Sequence, residues 1–552
     1  MKGFDKIKDK YIFVLLLILT ILGGFLRFYK ISSNPISLSI DEVAFGYNAY
    51  SVLKTGRDEY GRFLPLTFKS TGDYKNPVPI YLMVPSIALF GLNEFSVRFP
   101  TALIATLSIP LFFLLFMEIS GSQIISLVAT LFLTISPWHI YYSRYVSDHL
   151  IATFLVVLGV LCLLKMLKTG RWFWSVGSSV FLILSMYTYY AERLFVPLLI
   201  LSLFVLKRHV LKVRLKQIVI FVMICIIIAS PLIFSTFFGP DRARAQMTWA
   251  GNDVEFVRNV AVKPLLKIQF LDSDNLLLLY FVARKYLNYF DPGFLFYSGL
   301  NMTTVGSYGL GVLYLFEIPF LILGIIALLR KQIKNRSLVI TWILIGLIPA
   351  SLTNNEQHPG RTFFILPMLI IICAIGAVEF FKLIKTRFSH NLRNAILVVF
   401  LGFVVWNLIQ AFLIYSVHFP RQRGEDFMEG TKETVEYALA NKNNYNEIVF
   451  DPYRGIEAPY IVSIPHMYIL FYSQYDPVLY QQETRRYGQD LYGFDKFTIR
   501  RIDWREDRDK VGTLFIGSPW SLPEKDIKKE DILKKVYLSG GQLVFLIVSP
   551  SR

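Results

Sequence analysis

The feature that most constrains this chain is a series of apolar runs long enough to cross a bilayer. About 20 apolar residues span the hydrocarbon core, and residues 11–28, 95–117, 218–237, 309–329, 363–381 and 395–415 all approach or exceed that length. Lipid offers no partner to backbone N–H and C=O groups, so such runs have to satisfy their hydrogen bonds within helices. Composition agrees: 18% of the 552 residues are charged, against about 25% in soluble domains. The first run has no small-residue cleavage site after it and reads as a retained helix rather than a leader.

The formal net charge of +17 is concentrated in short clusters between apolar runs, at residues 165–171, 207–216, 330–336 and 382–393. Lysine and arginine are retained on the cytoplasmic side of a membrane. The same placement argues against nucleic acid as a partner, because no basic stripe interleaved with aromatics lies on a soluble stretch. Anchoring the four clusters inside predicts eleven spans, at about 11–29, 95–117, 122–141, 150–166, 172–189, 194–206, 217–236, 309–329, 337–352, 362–381 and 394–416. Two long outer loops follow, at about 30–94 and 237–308. The apolar piece 79–91 is too short to span and suits a helix lying in the interface. Cys162, Cys225 and Cys373 all fall in apolar runs, which suits packing residues and leaves no disulfide framework.

Composition changes near residue 418. Residues 1–417 read as the membrane domain and 418–552 as a soluble α/β domain, placed outside by an odd number of crossings from an inside N-terminus. Within the latter, 431–440 is helix-like, 447–450, 496–502, 513–516 and 542–548 are β-rich, and Gly540-Gly541 suits a hairpin turn. The expected fold class is therefore mainly α, a polytopic membrane protein of the plasma membrane with an extracytoplasmic α/β domain.

Burying ionisable groups in lipid is costly, so their location carries information. Here they gather in outer loops. The first loop opens Ser39-Ile40-Asp41-Glu42 ahead of an apolar stretch at helical spacing. One reading is structural: Asp41 caps the helix and Glu42 favours its positive end. The other is chemical: a carboxylate just outside the membrane accepts a proton from an attacking hydroxyl, with Glu42 positioning it or holding a cation. Lys75 and Arg98, later in the loop, have the chemistry to hold a phosphate. Snorkelling or headgroup contact would also account for them. Tyr187–Arg193 and Asn354–Arg361 bring further polar groups to outer loops, including Arg193, His358 and Arg361.

The acidic pair after the first helix is followed by Tyr74-Lys75-Asn76-Pro77-Val78-Pro79 and then by Gly91-Leu92-Asn93-Glu94-Phe95-Ser96-Val97-Arg98-Phe99-Pro100. This order resembles glycosyltransferase family 39, the group related to protein O-mannosyltransferases and lipid A aminoarabinose transferases. The resemblance is strongest over residues 11–200, and residues 418–552 carry none of it. It implies a GT-C membrane architecture and sugar transfer from a polyprenyl-phosphate donor to a hydroxyl of an extracytoplasmic acceptor. It implies Asp41 as the catalytic residue, with Glu42 as its companion. It implies a second motif at the outer end of helix three, where Arg144 is followed four residues later by Asp148. On one continuous helix those two would share a face. Relatives often place lysine or histidine before the first proline of the Lys-x-Pro stretch, against the donor phosphate. Here Asn76 stands there, with Lys75 one position earlier. Phosphate contacts are then expected from Lys75, Asn76, Arg98, Arg144, Arg193, His358 and Arg361. Adjacent carboxylates together with Asp148 also have the oxygen chemistry to take Mg²⁺ or Mn²⁺.

Overall fold

The structure, a computed structural model, describes residues 8–551 apart from 71–72, 240–241, 243–248, 254–256, 258–273, 303–308, 331–332, 355–356, 455–460, 484–485 and 489–490. Much of the expected outer loop 237–308, and Asn355 and Glu356, lie outside the described residues. The chain forms two compact units. One comprises Met1–Tyr29 and Thr101–Ile414, the other Lys30–Pro100 and Tyr415–Arg552.

The described residues of the N-terminal part form nine helices: α1 (Asp9–Phe28), α2 (Ile40–Thr55), α3 (Pro77–Phe90), α4 (Glu94–Ser120), α5 (Gln123–Ile135), α6 (Pro137–Ser143), α7 (Asp148–Thr169), α8 (Trp172–Met186) and α9 (Glu192–Leu206). Among the described residues, six helices are long and apolar enough to cross a membrane. They are α1, α4, α7, Arg208–Phe238, Pro359–Arg387 and His390–Arg423. The α5–α6 pair, bent by 51°, makes a seventh if it is one span. Of the eleven spans expected from sequence, six, or seven with the bent pair, reach this length among the described residues. Residues 172–189 and 194–206 yield only the 15-residue helices α8 and α9. The 309–329 run is α-helical only from Ile318, after Gly309 at φ +81° and a 3-10 turn. The 337–352 run divides into Arg336–Gly346 and Ile348–Ser351, with Pro349 in the second piece. The α5–α6 bend falls at Pro137, which has no N–H to continue α5; Ser136 instead caps α6 by accepting from His139 N.

In the first unit, helix Ile318–Arg330 packs along Leu366–Arg387, and Gly324 and Gly376 bring the two backbones together. A Cβ on Gly376 would collide with Phe320 O, and one on Gly324 with Ile372 O. Small residues at such crossings are how helices gain close packing in lipid, where burial of apolar surface gives no drive. Arg27, fully buried on α1, donates through its two Nη atoms to Gly23 O, Leu133 O and Thr134 O, and Nη2 lies 2.8 Å from His139 Nδ1. His139 Nε2 lies 3.1 Å from Ser108 Oγ. That network ties α1, α4 and the α5–α6 bend together, and it gives His139 a structural role.

The second unit gathers α2, α3 and a short hairpin, β1 (Phe68–Ser70) with β2 (Asp73–Lys75), together with the C-terminal segment. The face of α2 packs on helix Pro465–Tyr472, where Tyr468 OH donates to Leu38 O at 2.7 Å. A Cβ on Gly46 would sit 2.7 Å from Phe471 and 2.8 Å from Val97, so only glycine permits this approach. Lys432 reaches Glu94 at 2.8 Å and Gln481 donates to Ser51 Oγ at 3.1 Å.

The C-terminal segment carries helix Thr431–Asn441 and strands β3 (Glu447–Phe450), β4 (Tyr453–Arg454), β5 (Ile461–Val462), β6 (Arg486–Gly488), β7 (Leu491–Phe494), β8 (Phe497–Arg500), β9 (Thr513–Gly517), β10 (Ile532–Tyr537) and β11 (Leu543–Val548). Seven of them form one mixed sheet in the order β10-β11-β9-β3-β8-β7-β6, with β3 parallel to both β8 and β9. The hairpin at Gly540-Gly541 joins β10 to β11, with Gly541 at φ +88°. Val449, Phe515, Leu546 and Trp504 form a core on one side of this sheet.

Candidate active site

The acidic pair divides its labour at the start of α2. Ser39 is the N-cap: its side chain accepts from Glu42 N, and Glu42 Oε2 accepts from Ser39 N at 2.9 Å, a closed capping box. Glu42 also binds Arg98, with Oε1 at 2.8 Å from Nε and Oε2 at 3.2 Å from Nη2. The guanidinium continues to Ile31 O and Pro35 O, both at 2.9 Å, and to Ser37 O. A guanidinium has five N–H donors, and those contacts occupy all five. Arg98 is fully buried. Arg98, expected at a donor phosphate, here braces the loop entering α2 against Glu42. Glu42 thus serves both Arg98 and the cap.

Asp41, by contrast, does not cap the helix. Its side chain is 62% exposed, and Oδ1 lies 2.6 Å from Lys75 Nζ. Lys75 is buried at the end of β2 and also meets Asp73 Oδ2 at 3.1 Å. The hairpin thus delivers an ammonium beneath an exposed carboxylate. Asn76, buried as well, is the N-cap of α3, where Pro77 takes the first helical position.

The remaining candidates lie in the other unit. Arg144 and Asp148 do not share one helix, as expected of a four-residue spacing. Helix α6 ends at Ser143 and α7 begins at Asp148, with Ser147 as its cap. Arg144 is buried and donates to Leu26 O at 2.9 Å, Arg27 O at 3.3 Å and Tyr29 O. It closes the C-terminal end of α1, where a cation suits the carbonyls and the helix dipole. Asp148 Oδ1 sits 2.8 Å from His149 Nδ1. His149 in turn stacks near Tyr189, with ring centroids 4.3 Å apart, and near His358, at 6.1 Å. Gly360 permits this, since a Cβ there would stand 2.6 Å from His149 Nε2. Burial, with His149 and Arg361 close by, pushes the His358 imidazole down to about 3. Arg361 donates to Thr353 Oγ1. Arg193 donates to Thr236 Oγ1 at 3.1 Å and lies over the Tyr190 ring at 4.1 Å. His149 is the residue that sequence reasoning missed. Its only signal was adjacency to Asp148 at a helix start. Among the described residues no three His, Cys, Asp or Glu side chains gather as metal ligands.

Residues 17–242 match the family model described as dolichyl-phosphate-mannose-protein mannosyltransferase. That stretch holds every candidate residue except His358 and Arg361. No curated protein matches the sequence. Among solved structures, ArnT from Cupriavidus metallidurans in the apo state is similar at 12% identity, covering 98% of both chains with a TM-score of 0.55. The same protein bound to undecaprenyl phosphate is similar at 12% identity over 97% of both chains, with a TM-score of 0.54. The Archaeoglobus fulgidus oligosaccharyltransferase tethered with an acceptor peptide is similar at 12% identity, covering 84% of this chain and 63% of that one, with a TM-score of 0.53. At such identities these likenesses concern the fold alone.

Proposed function

We propose that this chain is a GT-C-type membrane glycosyltransferase that moves a monosaccharide from a polyprenyl-phosphate donor to a hydroxyl of an extracytoplasmic acceptor, with Asp41 as the base. The observation that carries the reading is the separation of roles at the α2 N-terminus. Ser39 and Glu42 close the helix, Arg98 locks Glu42, and Asp41 is left as an exposed carboxylate tethered to Lys75. A carboxylate with that exposure can orient an acceptor hydroxyl and take its proton as the oxygen attacks the anomeric carbon. The lipid phosphate then leaves from the opposite face, which inverts the configuration. Positioned bases contribute about 10²–10⁴-fold. The lipid phosphate departs more readily when a cation stabilises the charge that develops on it. Lys75 is the residue we assign to that task.

The donor class is supported by the family match and by the similarity to a protein bound to undecaprenyl phosphate. The placement outside the membrane rests on the basic clusters at the opposite loops. Purified Asp41→Asn protein tests the donor assignment, because a variant that binds but cannot turn over retains its substrate. Mass spectrometry of the co-purifying lipid is expected to show a polyprenyl-phosphate pentose or hexose. Phospholipid alone would overturn the donor assignment.

A further inference from the structure

Three of the strands in the C-terminal sheet run parallel, and their carboxyl ends open on one cleft of about 1220 Å³. The chain leaves β3 for β8 on one side and then crosses to β9 on the other, so β3 lies at a switch in topology. In open α/β sheets such a switch, at the carboxyl ends of the strands, is where ligands bind. Asp451 follows β3, Arg501 follows β8 and Ser518 follows β9, and all three line the cleft.

The lining sorts by what each group already does. Asp451 is buried, and its two oxygens accept from Tyr453 N at 2.8 Å and Ile502 N at 3.1 Å. Asp503 is the N-cap of Trp504–Asp507 and accepts from Arg505 N at 3.1 Å. These two carboxylates are engaged by the backbone, and Asp526 is a third aspartate in the lining. The guanidinium groups of Arg505 and Arg508 are exposed and make no hydrogen bond or ion pair among the described residues. Ser518 is fully buried, and its Oγ has no hydrogen-bond partner among the described residues. Buried hydroxyls are ordinarily satisfied, so Ser518 marks a place for a polar ligand atom. Trp504 forms part of the wall, fixed edge-on to Phe515 and by Nε1 donation to Asp526 O at 3.1 Å. Trp520 stands at the rim, 46% exposed.

From this arrangement we infer that the cleft binds an anionic saccharide, its sugar face on Trp520, its charged group at Arg505 and Arg508, and a hydroxyl at Ser518. An exposed indole offers a flat apolar surface to the C–H face of a pyranose. Paired guanidinium groups recognise carboxylate or phosphate oxygens in a fork. This binding does not depend on the assignment of Asp41 or of the donor.

Full-length protein in nanodiscs, titrated with tetragalacturonate, maltose 6′-phosphate and neutral maltotetraose, tests it by calorimetry. At least one anionic probe is expected to bind at least tenfold more tightly than maltotetraose, and comparing the two separates carboxylate from phosphate recognition. Trp520→Ala and the Arg505→Ala/Arg508→Ala pair, all at exposed positions, are expected to weaken that binding at least tenfold. Ser518→Ala is expected to weaken it less, and Asp41→Asn not at all. Absence of binding by both anionic probes, equal binding of the neutral one, or binding unchanged in the Trp520 and arginine variants would overturn the proposal.

Discussion

Glu42 and Arg98 form the most heavily committed ion pair near the candidate catalytic residue, with side chains 1% and 0% exposed. Removing one partner of a buried pair leaves an uncompensated charge, at a cost of about 3–5 kcal/mol. Arg98→Ala is therefore expected to lower the unfolding temperature and yield of the purified protein, and to lose activity through that route. A variant with unchanged thermal stability and only a raised KM for donor would restore the phosphate role. His358 gives a pH-dependent prediction. Its folded pKa near 3 lies below the ordinary imidazole value of about 6.5. The unfolded chain thus takes up a proton across that window while the folded chain does not. Stability from this group is complete above about pH 6.5 and is lost as pH falls toward 3. His358→Gln should flatten that part of a stability–pH curve measured by thermal shift. At this scale the sequence was only partly legible. Ser39-x-x-Glu42 is a capping-box pattern on its face, and reading it so would have released Asp41 from the cap. Arg98's carbonyl partners at Ile31, Pro35 and Ser37 depend on a loop path that no spacing rule encodes.

Helices and strands were more legible than side-chain roles, because period and length act locally. The strand at 447–450 and the helix beginning at Thr431 sit where their apolar patterns and turn residues place them. Spans were harder, since hydropathy does not register where a run stops being helical. Pro137 bends one span, and Gly309 and Pro349 shorten others. The same limit hid the interval between Ser143 and Asp148. Contact between helices also needs three dimensions: Gly324 and Gly376 look unremarkable in sequence, yet set the crossing of Ile318–Arg330 with Leu366–Arg387. Gly376→Val should force these helices apart. It is expected to reduce the fraction of protein that elutes as a monodisperse peak in detergent, whereas Gly402→Val, with open space around its Cβ position, should leave it unchanged.

Across the whole chain, residues 30–100 pack with 415–552 into one compact unit, so the acidic loop and the C-terminal segment are interdependent. Tyr468 and Gln481 hold the loop from positions more than 400 residues away in sequence. A chain truncated after residue 414 should retain its membrane helices but expose the buried face of α2. Limited proteolysis is expected to cut it within residues 30–100 faster than the full-length protein, with transfer activity lost although Asp41 is present. The account turns on that carboxylate, and the most direct test is the initial rate of sugar transfer by full-length Asp41→Asn with a polyprenyl-phosphate sugar as donor. It predicts a fall in kcat of about 10²–10⁴-fold with the unfolding temperature unchanged. Full activity in the folded variant would contradict it.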